Sequence, residues 1–165
     1  MQKPSSGSVQ IENKNIYQLS ENDRTSFRAH NIGFVFQDFH LVPYLNVMEN
    51  IMLSAGLNRY GNRKEQSKEL AAKLGLSDRV LHYPSQLSTG EQQRVGLARA
   101  LIHNPKIILA DEPTGNLDPD SSSVVIDILR DYQQNGGTLI VVTHGKNIDK
   151  YASRILKLNK GEIVR

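Results

Sequence analysis

Residues 106–143 read KIILADEPTGNLDPDSSSVVIDILRDYQQNGGTLIVVT, and this stretch decides the fold. It predicts a strand (KIILAD), a helix over Ser121–Gln134 and a second strand (TLIVVT), because short apolar runs between turn residues favour buried strands. Asp118 followed by Pro119 is typical of a helix start, and the Gly-Gly pair after the helix is typical of its end. Strands that alternate with helices favour a parallel sheet, so the expected fold class is α/β.

Two segments before this stretch and one after it predict further strands. Gly7–Asn15 alternates apolar and polar residues and predicts a half-buried strand at a sheet edge. Ile32–Gln37 (IGFVFQ) is a dense apolar run that predicts a buried strand, with Gln37 at its exit. A hairpin is predicted around Asn159 and Gly161.

The middle of the chain predicts helices. Apolar residues between Asn46 and Leu76 have helical spacing, and Pro43 and Gly61 are plausible breaks. We therefore expect one domain over 1–165, in which an α-helical insert at about 44–95 interrupts a sheet core formed by 1–43 and 96–165.

Composition excludes several classes of protein. The 165 residues contain no cysteine, so disulfides and thiolate chemistry are excluded. Apolar runs such as Ile107–Ala110 are far shorter than the roughly 20 residues that a membrane-spanning helix needs. The net charge of +3 comes from 20 basic and 17 acidic residues that are mixed along the chain, which is weak evidence for an anionic partner. A cytoplasmic location is the default expectation.

A carboxylate pair follows the strand of the deciding stretch. Asp111 and Glu112 stand at its end, where ligands bind beyond the carboxyl ends of parallel strands. One carboxylate is suited to hold magnesium and the other to accept a proton from an attacking water. Taken alone, such a pair is more often a solvated strand end.

Leu87–Arg99 (LSTGEQQRVGLAR) predicts a helix with a capping box, because Ser88 is followed three positions later by Glu91. Ser88, Thr89 and Gly90 also offer N–H groups and a hydroxyl at a positive helix end, which suits a phosphate. We expect Gly90 to let the backbone approach that phosphate. His144 follows another predicted strand; alone, it is more often satisfied locally than catalytic.

These features together resemble the ATP-binding subunits of ABC transporters. FVFQ resembles the Q-loop with Gln37, LSTGE the family signature, and IILADE the Walker B strand with Glu112 as catalytic glutamate. GNLD, at 115–118, is similar to the D-loop, and His144 to the switch histidine.

The resemblance implies a P-loop NTPase-like parallel sheet flanked by helices, with an inserted helical subdomain and an incomplete N-terminal part. It implies ATP and Mg²⁺ as ligands, with Asp111 holding the metal and Gln37 linking it to the membrane partner. Ser88, Thr89, Gly90 and Glu91 are then expected to contact the nucleotide of a second, head-to-tail ATP-binding domain.

Within the same resemblance, Glu112 activates water, His144 contacts the γ-phosphate and Asp118 couples the two sites. Transmembrane permease subunits are expected partners and nucleic acid is not, which places the chain on the cytoplasmic face of the membrane. The D-loop and the sequence around the Q-loop are most similar to those of subunits for lipoprotein release and for export of macrolides or antimicrobial peptides. Related proteins without membrane domains are a minor alternative.

The sequence departs from the usual motifs of this family at three points. Thr89 and Glu91 replace the commoner Gly and Gln of the signature, and no GxxxxGK followed by Ser or Thr occurs in the 165 residues. Because that loop grips the phosphates in this class, we expect the chain to be inactive alone. One alternative is a non-catalytic module that acts by docking or through its signature. Another is that Met1 is an internal methionine of a longer reading frame. An exposed edge at Ile32–Gln37 or Ile107–Asp111 is expected to favour self-association.

Overall fold

The computed structural model describes residues 3–55, 63–145 and 148–164, and its centre is a three-stranded parallel sheet. The strand order is β3-β4-β5, with Ile32 opposite Ile107 and Ala110 opposite Val141. The α/β class with a parallel sheet is therefore confirmed. The predicted break at Gly61 lies outside the described residues.

The helices and strands follow one another in this order along the chain: β1 (Gln10–Ile11), β2 (Lys14–Asn15), α1 (Glu21–Asn31), β3 (Ile32–Val35), α2 (Val47–Ala55), α3 (Arg63–Lys73), α4 (Thr89–Leu101), β4 (Ile107–Asp111), α5 (Pro119–Gln134), β5 (Thr138–Val142), β6 (Lys157–Asn159) and β7 (Glu162–Val164). Short 3₁₀ turns lie at 16–18, 77–79, 84–86 and 149–151.

One face of the sheet forms the main core. Ile108 and Ala110 of β4 alternate inward and pack with Leu97 of α4 and with Val125 and Leu129 of α5. Each fully buried Ile, Leu or Val side chain of this core stabilises the fold by about 1.5–3 kcal/mol. This packing fixes α4 and α5 on the same side of β4, and so fixes the loops that leave the ends of these elements.

A second core lies among the helices. Val47, Ile51, Leu74 and Leu76 are buried against residues of α4, which also contacts the sheet core, so α4 joins the two clusters. Buried Asn50 accepts from the Val42 N–H and donates to carbonyls of the same loop, which holds the loop after β3 against α2. The division at residue 95 stays a prediction.

The amino-terminal segment differs from the expectation. Gly7–Asn15 does not contribute an edge strand to the parallel sheet; it forms the separate antiparallel hairpin β1–β2. Its turn residues, Glu12 and Asn13, both have positive φ (52° and 60°), as in the tight turns that match strand twist. Alternation predicts a strand but not its partner.

Helix α1 was not anticipated, although its start carries a local signal. Ser20 Oγ accepts from the Asp23 N–H at 3.2 Å, which is the S-x-x-D pattern of an N-cap. Of the two segments expected to form an exposed sheet edge, Ile107–Asp111 does not, because it forms the central strand β4 of the described sheet. Strands β3 and β5 flank it. The hairpin predicted around Asn159 and Gly161 is present as β6–β7.

No helix within the described parts of the chain is both long and apolar enough to cross a membrane.

Candidate functional site

The carboxyl end of β4 turns sharply at Glu112. The Glu112 N–H donates to the Val142 carbonyl at 2.9 Å, which extends the pairing with β5 by one residue. Glu112 has φ = +43°, a left-handed conformation that is uncommon for residues other than glycine. Such strain persists only where surrounding contacts impose it, and it is frequent at functional sites.

Both oxygens of the Glu112 carboxylate are held by the loop after β5. Thr143 Oγ1 donates to Oε2 at 2.9 Å, and the His144 N–H donates to Oε1 at 2.7 Å. His144 Nδ1 lies 2.6 Å from the same Oε1, and since an ionised carboxylate only accepts, this contact requires the hydrogen on Nδ1. The loop thus fixes the orientation of the carboxylate.

The same contacts shift the pKa of the Glu112 carboxyl group. Burial alone raises the pKa of this carboxyl, but the hydrogen bonds from the His144 N–H, Thr143 and the His144 ring outweigh burial and hold the pKa below its ordinary value. Glu112 is therefore ionised at neutral pH, while the His144 side chain is 87% exposed and open to a ligand.

Gln37 approaches Glu112 from the neighbouring strand. A Cβ placed on Gly115 would lie 3.5 Å from Gln37 Nε2 and 3.4 Å from Glu112 Cβ, so both side chains border this glycine. The Gly115 N–H donates to the Glu112 carbonyl at 3.0 Å and closes the turn. The structure therefore brings Gln37, Glu112 and His144 to one end of the sheet.

Asp111 is the last residue of β4 and is exposed. Its carboxylate makes no hydrogen bond or ion pair with the residues that the structure describes. Its oxygens are available to a ligand at the same sheet edge.

The Ser88–Glu91 segment forms the predicted capping box at the start of α4. The Glu91 N–H donates to Ser88 Oγ at 3.2 Å, and the Ser88 N–H donates to Glu91 Oε2 at 2.8 Å. Thr89 is exposed. Arg79, which sequence reasoning missed, donates from Nε to Glu91 Oε1 at 2.8 Å.

Gly90 has a structural reason beyond the one expected. A Cβ on Gly90 would lie 2.8 Å from Ser121 Cβ and closer still to Ser121 Oγ, so α4 and α5 meet where a side chain does not fit. Asp118 caps α5 by accepting from the Ser121 N–H at 2.9 Å, and hydrogen bonds from Ser121 hold the pKa of Asp118 below its ordinary value. The signature-like and D-loop-like segments are therefore neighbours.

Gln93 links this helix to the carboxylate loop. Its side chain is buried, and Nε2 donates to the Pro113 carbonyl at 2.7 Å, one residue after Glu112. The hydrogen bonds and ion pairs of the described residues do not join Ser88, Thr89 or Glu91 to Glu112 directly. The two groups are separate sites on one framework.

Comparisons with known proteins agree with this geometry. A family model described as ABC transporter matches residues 1–115. An uncharacterized ABC transporter ATP-binding protein of Methanocaldococcus jannaschii is 48% identical over 98% of this chain and 73% of its own length. The chain belongs to the ABC transporter ATP-binding family.

Two further relatives indicate which group of ABC transporters this chain is most similar to. The lipoprotein-releasing system ATP-binding protein LolD of Geobacter metallireducens is 43% identical over 99% of this chain and 74% of its own length. The macrolide export ATP-binding/permease protein MacB of Burkholderia thailandensis is 44% identical over 98% of this chain and 25% of its own length. The chain is an ABC transporter ATP-binding subunit of this type, in a family that couples ATP hydrolysis to transport.

A solved structure confirms the ABC cassette fold. It is described as a dimeric, post-hydrolysis state of the ATP-binding cassette MJ0796 bound to ADP and Pi. It aligns with a TM-score of 0.89 and 38% sequence identity, over 99% of this chain and 74% of that one.

Sequence reasoning missed three residues around the ABC motifs: Thr143, Arg79 and Ser121. Thr143 is adjacent to His144, and a hydroxyl beside a catalytic candidate is a signal that was available. Arg79 and Ser121 carry no such signal, because their contacts arise only when separate helices cross. The catalytic and binding roles of all site residues stay predictions.

Proposed function

We propose that this ABC subunit supplies the carboxylate and histidine side of one ATP site and, through Ser88–Glu91, the signature side of another. The proposal rests on the donors around Glu112, because Thr143 and His144 hold both of its oxygens at the end of the central strand. A carboxylate in this position is suited to accept a proton from a water that attacks the γ-phosphate. His144 contacts that phosphate from the exposed side.

Asp111 and Gln37 are the residues proposed to hold Mg²⁺. The exposed carboxylate of Asp111 has free oxygens, which are the ligands that Mg²⁺ prefers. Mg²⁺ is commonly bound by one or two carboxylates together with substrate phosphates, and Asp111 supplies one such carboxylate at the end of β4. When bound, Mg²⁺ neutralises charge on the phosphates.

The phosphates need a grip that the 165 residues do not contain, since no GxxxxGK[ST] loop occurs in them. We propose that a second ATP-binding domain, arranged head to tail, presents a nucleotide to Ser88, Thr89, Gly90 and Glu91. Asp118, at the start of α5, couples the two sites. The dimeric, nucleotide-bound state described for MJ0796 supports this arrangement.

Membrane subunits are the proposed transport partners. The name of MacB combines an ATP-binding part with a permease, and LolD belongs to a lipoprotein-releasing system. By this analogy the chain works on the cytoplasmic face of a membrane, with permease subunits rather than nucleic acid. The insert at about 44–95 is the proposed helical subdomain.

Association with MJ0796 tests the signature role. We expect sedimentation of the chain mixed with MJ0796 to show a complex that forms with Mg²⁺ and ATP. Ser88→Ala is expected to weaken it about 10-fold or more, because a hydrogen bond to a charged phosphate is lost. Ser85→Ala, at an exposed serine nearby, is the matched control. No nucleotide-dependent complex, or equal effects of both substitutions, would contradict the proposal.

ATP turnover tests the need for a phosphate grip. We expect the 165-residue chain alone, with Mg²⁺ and ATP, to stay at the background rate of its Glu112→Gln variant. Hydrolysis that Glu112→Gln removes would show that these residues grip ATP themselves.

The second candidate is a non-catalytic module that acts only by docking or through its signature. The absence of a GxxxxGK[ST] loop from the 165 residues favours it. Calorimetry of MgATP binding to the chain alone and to the chain mixed with MJ0796 tests this second candidate, because tight binding by the isolated chain would contradict it.

A further inference from the structure

The start of α4 carries an ion pair that the family motifs do not include. Arg79 Nε donates to Glu91 Oε1 at 2.8 Å, while the second oxygen of the same carboxylate accepts from the Ser88 N–H. The Glu91 side chain is only 17% exposed, whereas that of Arg79 is 41% exposed. Both oxygens of the carboxylate are therefore held in place beside the proposed phosphate seat.

The chain brings Arg79 to this position through a well-anchored turn. Gly75 ends α3 with φ = +67°, and the Leu76 N–H donates to the Ala71 carbonyl at 2.8 Å. Leu76 is fully buried, and the Arg79 N–H donates to the Leu76 carbonyl at 2.9 Å. The backbone of Arg79 is thus fixed relative to the helical core.

Glu91 needs such a partner because of its charge. A carboxylate in the first turn stabilises a helix N-terminus, but it also repels a phosphate that approaches the same N–H groups. Burial raises the pKa of Glu91, yet the hydrogen bonds from Ser88 and Arg79 outweigh burial and keep the pKa below its ordinary value. Glu91 is therefore ionised at neutral pH, and Arg79 is the cation in contact with it.

We propose that Arg79 is a positioning residue of the signature segment: it neutralises and orients Glu91 so that Ser88, Thr89 and Gly90 accept a nucleotide phosphate. The capping box uses Ser88 Oγ as an acceptor for the Glu91 N–H, which fixes the position of the exposed Ser88 hydroxyl at the phosphate seat. The inference rests on the proposed role of this segment in ATP binding. It also explains how the segment tolerates Glu91 where glutamine is commoner.

The test is an NMR titration with MgATP of the ¹⁵N-labelled 165-residue chain mixed with unlabelled MJ0796, which supplies the second ATP-binding domain, read at the amides of Thr89, Gly90 and Glu91. Arg79→Ala is expected to weaken binding about 3- to 10-fold, the effect of one uncompensated charge near a phosphate in a largely aqueous setting. Arg79→Lys keeps the charge and stays within about 2-fold of the wild type. MgAMP, without the terminal phosphates, serves as the control ligand.

The decisive comparison is the double variant. Since Glu91→Gln removes the charge, we expect Arg79→Ala to have less than about a 2-fold effect in the Glu91→Gln background. The same loss in both backgrounds, or no loss from Arg79→Ala where Ser88→Ala weakens binding, overturns the role of Arg79 alone. If MgATP shifts none of these amides in the wild type, the proposed phosphate seat fails and the inference fails with it.

Discussion

Replacing Gly90 by alanine tests how the signature and D-loop segments fit together. The new Cβ would lie 2.8 Å from Ser121 Cβ. Two non-bonded carbon atoms are normally separated by about 3.5–4.0 Å. Overpacking of this kind lowers the free energy of unfolding by about 1–3 kcal/mol. The higher helix propensity of alanine relative to glycine offsets up to about 1 kcal/mol of this loss. We expect the free energy of unfolding to fall by about 1–2 kcal/mol, with a melting temperature roughly 2–8 °C lower.

Urea unfolding of four proteins measures this effect: wild type, Gly90→Ala, Ser121→Gly and the double variant. Ser121→Gly removes the obstructing side chain, so Gly90→Ala should become neutral or stabilising in that background. Gly96→Ala is the matched control, because in the same helix its Cβ would meet the Phe39 carbonyl oxygen at an ordinary 3.6 Å. The reasoning is refuted if Gly90→Ala is as stabilising as Gly96→Ala, or if its cost is unchanged without the Ser121 side chain.

Two further predictions concern the hydrogen bonds of the site. Glu91→Gln should lower stability at pH 7 by about 0.2–1 kcal/mol relative to Glu69→Gln, an exposed control on α3. Because the pKa of Glu91 is lowered by folding, this contribution is present above the ordinary value of 4.5 and lost as pH falls through the folded value. A difference in urea unfolding that does not shrink as pH falls below 4.5 would argue against it. Thr143→Val should speed hydrogen exchange at the Gly145 N–H, which donates to Thr143 Oγ1, by about 5- to 10-fold, whereas Thr143→Ser should not. Equal exchange in both variants would count against the role of the hydroxyl.

Local signals in the sequence were sufficient for much of the fold. The apolar runs of β3, β4 and β5 and the capping box at Ser88 are each encoded within a few residues, and the structure has all of them. The start of α1 at Ser20 carries a local signal of the same kind, the S-x-x-D pattern of an N-cap. The pairing of Gly7–Asn15 was different, because alternation fixes which side chains share a face and leaves the partner strand open.

The contacts that shape the site depend on crossing geometry. Arg79 meets Glu91 and Ser121 meets Gly90 only because separate elements pack against α4. No spacing along the chain contains that information. The convergence of Gln37 and His144 on Glu112 was expected only from family resemblance, although the order of parallel strands explains it physically, since β3 and β5 flank β4.

Paramagnetic NMR with Mn²⁺ in place of Mg²⁺ and without nucleotide tests the central claim most directly, because it does not depend on the phosphate grip that the 165 residues do not contain. If Asp111, Glu112 and His144 line one metal site, their amides should broaden first, and Asp111→Asn should abolish the effect while Asp127→Asn, at an exposed position on α5, leaves it intact. Broadening elsewhere in the chain, or broadening that Asp111→Asn does not change, would contradict the account.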